Sequence, residues 1–153
     1  MTKNTISGNA SITLGALTVV SPSPPRTYFG VAENLMSGVQ ILAASSSPGL
    51  ALPLLCAHVS ECILKAYLSR GGSDAALKGK NVRHNLVALW SLAHLQGLSI
   101  PSSPATWLTR LSEIHNAPYY LRYSTGVNGI VSPGAQPMAS ELISLLELVR
   151  RQL

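Results

Sequence analysis

The sequence predicts an all-α, up-and-down bundle of about five helices preceded by an extended N-terminal arm. Three observations lead there. The stretch from 54 to 68 is apolar on almost every side of a helix, which suits the middle of a bundle. Four other stretches carry apolar residues at helical spacing on one side only. Beyond residue 20, no stretch offers a strand to pair with the one β-like segment near the start.

That segment, Ser11 to Val20, is rich in β-branched residues and opens with strict alternation. Without a partner strand it reads as an arm that docks on another subunit, or as a disordered leader. Ser21-Pro22-Ser23-Pro24-Pro25 stops regular structure and acts as a stiff spacer. The division is therefore an arm over 1–26 and a bundle over 27–153. Helix one should begin near Pro25, with Ser23 or Thr27 as cap, and run to about Ala44. Val31, Leu35, Val39 and Leu42 form its inner stripe, and Ser45 to Gly49 ends it. Helix two should run from about Leu50 to Arg70, with Pro53 tolerated in the first turn and Gly71-Gly72 as the stop. A basic loop covers 72–82.

Helix three starts near Asn81 or Arg83 and ends before Gly97, burying Leu86, Leu89, Trp90 and Ala93. Ser103 before Pro104 opens helix four, where Trp107, Leu108, Leu111 and Ile114 follow at helical spacing. Pro118 should kink or split that helix. Glycines and prolines mark a long loop from Ser124 to Gln136. The last helix starts at Pro137 and places Met138, Leu142, Leu145, Leu146, Val149 and Leu153 on one side.

A length of 153 residues suits a single domain with its own core. Only 11% of the chain is charged and its mean hydropathy is positive, so some apolar surface should be covered, by a second copy or by a protein partner. A homodimer or higher oligomer is expected. The longest apolar candidate, Leu50 to Leu68, is interrupted by His58, Glu61 and Lys65, so no membrane span is expected. The N-terminus lacks the pattern of a signal peptide. Cys56 and Cys62 are six positions apart on one helix, about 240° in rotation, and cannot pair. They read as small buried hydrophobes in a reducing compartment, and the chain as cytoplasmic.

The polar residues of helix two stand out. At 100° per residue, His58, Glu61 and Lys65 fall within about 60° of one another, forming a charged stripe on an otherwise apolar helix. Such a stripe costs several kcal/mol unless it is paired or faces a groove. Glu61 and Lys65 are spaced i, i+4 for an ion pair, and the pair is expected to bond to His84 or Asn85 where helix three opens. His58 and Glu61 alone make a poor metal site, with no further carboxylate or cysteine cluster to complete it, so no metal and no cofactor are expected. The Gly-rich loop lacks the Gly-Lys-Ser/Thr ending of a phosphate-binding loop.

Arg70, Lys78, Lys80, Arg83 and His84 crowd one stretch opposed locally only by Asp74. They read either as a solvated loop or as a phosphate-contacting patch, with no aromatic residue interleaved. Arg122 and Tyr123 are expected to line the same cleft.

Three short motifs occur in order: Glu-x-x-Leu-Lys-Ala-x-Leu from Glu61 to Leu68, His84-Asn85-Leu86 opening a helix, and Leu121-Arg122-Tyr123-Ser124 closing one. Together, over roughly Thr27 to Leu153, the chain resembles the HEPN superfamily (higher eukaryotes and prokaryotes nucleotide-binding domain), with Ser124 where one branch has proline. The resemblance implies an up-and-down helical bundle. It also implies one of two functions, since the family divides between active ribonucleases and members that act as partners or regulators. The expected function is a non-catalytic, self-associating module that binds RNA or a nucleotide through a basic cleft.

The alternative is a metal-independent endoribonuclease, a toxin or antiphage-defence effector, using Arg110 and His115. Those two residues fit the family's spacing of an arginine, four to six residues, and a histidine, the histidine serving as acid or base and the arginine stabilising the charged transition state. On a continuous helix, however, they lie about 140° apart. The competing reading has Arg110 paired with Glu113 on the surface and His115 on the edge of the core.

Overall fold

In a computed structural model, which describes residues 23–123 and 132–153, the chain forms five α-helices, and no strand occurs among these residues. They are α1 (Arg26–Ala43), α2 (Ala51–Leu68), α3 (Leu86–Leu95), α4 (Thr106–His115) and α5 (Ala135–Arg150). A short 3-10 turn, Ala75–Lys78, interrupts the loop before α3. The arm at 1–22 and the loop at 124–131 lie outside the described residues.

The all-round apolarity of α2 decides its position. Thirteen of its eighteen residues are buried, and it packs against each of the other four helices. It is also the one described helix long and apolar enough to cross a membrane, and most of it is enclosed by the bundle. Ile63, Leu64 and Tyr67 are fully enclosed; each such side chain contributes about 1.5–3 kcal/mol by leaving water. Helix α1 lies antiparallel to α2, with Gly38 allowing close approach to Leu55.

Helix α4 ends at His115, so Pro118 follows the helix and does not kink it. Asn85 caps α3 by accepting from the Ala88 N–H at 3.0 Å, so α3 begins at Leu86 and not near Asn81 or Arg83 as the sequence suggests.

Direction alternates through the bundle except at one crossing. The start of α3 meets the middle of α2 through His84 and Glu61. The end of α3 meets the end of α2, where the Tyr67 hydroxyl donates to the Gln96 carbonyl at 2.9 Å and Arg70 donates to the same oxygen. Helices α2 and α3 therefore run in the same sense, and residues 69–85 form the return segment between them. This return brings His84 to the middle of the molecule.

Candidate functional site

The polar stripe of α2 is built around Glu61, which is buried. The turn-and-a-tenth from Glu61 to Lys65 brings the ammonium to Oε1 at 2.7 Å, and Lys65 is buried with it. The other carboxylate oxygen, Oε2, takes two ring nitrogens. Nδ1 of His84 lies 3.0 Å away, and Nε2 of His115 lies 2.6 Å away. An ionised carboxylate can only accept, so both ring nitrogens carry hydrogen. Burial alone would raise the Glu61 carboxyl, but the bonds from His115, Lys65 and His84 outweigh it and hold the group down at about 2.

His115 is fully enclosed, and its Nδ1 has no hydrogen-bond partner among the described residues. Arg110 lies on the opposite side of α4, exposed, donating to Glu113 at 3.1 Å. The structure therefore does not bring Arg110 and His115 together: the ion pair expected at i, i+3 is present, and His115 lies within the core, deeper than its edge. His58 takes no part in the bonds to Glu61, and its Nε2 lies 3.9 Å from Cys62 Sγ. Burial lowers its pKa, against the raising influence of Glu61.

The cluster opens to the surface at His84, whose side chain keeps 21% of its exposure. Tyr119 stacks edge-on to His84 with ring centres 5.6 Å apart, and Tyr123 packs edge-on to Tyr119 at 6.4 Å. Arg83 donates to the Tyr119 hydroxyl at 3.1 Å, and the Arg122 guanidinium lies 6.0 Å from the centre of the same ring. Tyr119 holds a left-handed backbone with φ of 65°, a conformation that costs a non-glycine residue about 1–3 kcal/mol. The fold thus supplies the aromatic side chains missing from the basic stretch itself, from a segment 36 positions away. Sequence reading overlooked Tyr119; the aromatic run Tyr119-Tyr120 just after Pro118 is the only local sign of it.

The other expected basic residues are dispersed. Arg70 stacks on Tyr67 at 4.0 Å and bonds to Gln96, a structural cap on the ends of α2 and α3. Lys78 pairs with Asp74 at 3.0 Å, while Asp74 also accepts from the Tyr28 hydroxyl at 2.9 Å. Lys80 is exposed. The surface cluster is therefore Arg83, His84, Tyr119, Arg122 and Tyr123. Cys56 and Cys62 are buried and unpaired, and burial pushes both thiols up to about 12. Comparison with protein-family models, with curated proteins and with solved structures found no match to this chain.

Proposed function

We propose that this protein is a HEPN-like binding module, not an enzyme, that takes the phosphate and base of RNA or of a nucleotide at the surface formed by Arg83, His84, Tyr119, Arg122 and Tyr123. The observation that carries the reading is Tyr119, held in a strained backbone with one arginine on its hydroxyl and another beside its ring. Two guanidinium groups next to two tyrosine rings are the combination that single-stranded nucleic acid uses, phosphate on the cations and base on the π-face. His84, anchored through Nδ1 by Glu61, leaves Nε2 as the ring atom available to a ligand. Tyr123 is 59% exposed and free to stack. The endoribonuclease alternative has no geometric support, because His115 is sealed and Arg110 is engaged by Glu113 on another face.

The test is fluorescence polarisation of a labelled single-stranded RNA, with ATP as competitor, across a salt series. Arg83→Glu with Arg122→Glu should weaken binding at least tenfold and reduce the salt slope by about two, one for each lost phosphate contact. Lys78→Glu should change little. Equal binding by the double variant would overturn the reading, and metal-free cutting of the RNA would favour the enzyme.

Self-association belongs to the same proposal. Ile41 is 72% exposed on α1 and Leu95 is 79% exposed at the end of α3, a large outlay of apolar surface for a chain with so few charges. Light scattering at tens of micromolar should give a dimer or larger. The two free buried thiols accord with a reducing, cytoplasmic setting.

A further inference from the structure

Glu61, His84 and His115 come from three separate parts of the chain: the middle of α2, the end of the return segment and the last turn of α4. Their ligand atoms all lie within 4.8 Å of one another. Both imidazoles converge on a single carboxylate oxygen, Oε2. We propose that these three residues form a binding site for a first-row transition metal ion, Zn²⁺ being the natural occupant.

The donor chemistry selects that class. Two imidazole nitrogens and one carboxylate oxygen are a ligand set for zinc and its neighbours, which hold such atoms at about 2.0–2.2 Å. Tetrahedral ligands at that radius stand roughly 3.3 Å apart. The present separations from Oε2, 2.6 Å to His115 and 3.0 Å to His84, would open by about 0.7 Å and about 0.3 Å to reach that spacing. Lys65 occupies Oε1, which restricts Glu61 to one ligating oxygen and argues against Mg²⁺ or Ca²⁺, since those ions want six or more oxygens.

Proton balance is simple. To ligate through Nδ1, a neutral His84 carries its hydrogen on Nε2, on the open side of the ring. To ligate through Nε2, a neutral His115 carries its hydrogen on Nδ1, a nitrogen with no partner among the described residues. In each ring the hydrogen now shared with Oε2 leaves the ligating nitrogen and a proton is taken up on the other one, a change of tautomer through solvent with no net proton released from a neutral ring. Three protein ligands leave a fourth position, filled by water or by an incoming ligand, as in zinc sites that are not closed by protein.

The experiment uses the full chain without an affinity tag, treated with chelator and titrated with Zn²⁺ against a chromophoric chelator. One ion per chain is expected. Co²⁺ in its place should give the intense visible bands of a tetrahedral site. His84→Gln should weaken binding at least tenfold and abolish those bands, while His58→Gln and His94→Gln should leave both unchanged; His94 lies in the last turn of α3 with Nδ1 2.9 Å from the Ile100 carbonyl oxygen. If His84→Gln does not fold, ring-proton spectra of the Co²⁺-loaded wild type decide the matter, because only ligating histidines acquire large paramagnetic shifts. Failure to bind one ion, retention of binding in folded His84→Gln, or paramagnetic shifts at His58 or His94 instead would overturn the proposal. None of these outcomes depends on whether RNA is bound.

Discussion

Nε2 of His115 donates to Oε2 of Glu61 at 2.6 Å, across 54 positions of sequence, and ties the last turn of α4 to the middle of α2. Both partners are buried, so the bond is charge-assisted in a setting of low dielectric.

Removing the charge at the centre should therefore be costly. Glu61→Gln keeps the shape but leaves the Lys65 ammonium buried without its counter-ion and gives two ring N–H groups a weaker acceptor. Urea denaturation should show a loss of about 3–5 kcal/mol. Arg110→Ala, which breaks only an exposed pair, should cost less than about 1 kcal/mol. Similar values for the two variants would contradict the buried network.

The same carboxylate sets an acid limb. Glu61 titrates at about 2 in the folded protein, against an ordinary 4.5. A depressed folded value means that its stabilising contribution is complete above about 4.5 and is lost as the pH falls toward about 2. A plot of unfolding free energy against pH should fall through that window in the wild type and be flatter there in Glu61→Gln.

His115→Ala should behave as a core substitution. It removes a fully enclosed ring and a bond to a carboxylate, so stability should drop by about 2–4 kcal/mol. RNA binding, measured below the melting transition, should fall less than threefold, because the surface cluster draws on other residues.

Asn85 stitches the start of α3 to α4. Its Oδ1 accepts from the Ala88 N–H at 3.0 Å and from the Ser112 hydroxyl at 3.3 Å. Asn85→Ala should cost about 1–2 kcal/mol, and Asn85→Asp, which keeps both acceptor roles, should recover most of it in thermal melts.

The thiols offer a readout of opening. With both pushed up to about 12 and buried, Cys56 and Cys62 should resist alkylation at pH 8 in the folded protein. Labelling by iodoacetamide should proceed only at the rate at which α2 becomes exposed. Rapid labelling of either would mean that the core around α2 is open.

What could be read in advance was local. The apolar circumference of α2 foretold its central position, and the i, i+4 spacing foretold the Glu61–Lys65 pair. Arg110 with Glu113 followed from i, i+3 spacing in the same way. A bond to His84 or Asn85 was expected because a charged stripe in a core must find partners and those residues open the next helix; of the two, His84 makes it, while Asn85 is engaged by Ala88 and Ser112. His115 as the third partner was not legible, since no local pattern encodes a contact that depends on how α4 seats against α2. Tyr119 escaped for the same reason: its partners Arg83 and His84 precede the whole of α3 and α4.

The return segment at 69–85 divides the bundle into two halves that share one helix. Helices α1 and α5 flank α2 on one side, α3 and α4 on the other. The first half is joined by apolar packing and, between α1 and α5, by the exposed Arg150–Glu33 ion pair at 2.8 Å and a bond from Gln136 to the Ala43 carbonyl, whereas Glu61 holds the start of α3 and the end of α4 through His84 and His115. Loss of that carboxylate should thus release α3 and α4 as one cooperative unit while α1, α2 and α5 stay together. Amide hydrogens at 86–95 and 106–115 would then exchange at a common, faster rate, with those of α2 remaining the slowest in the molecule.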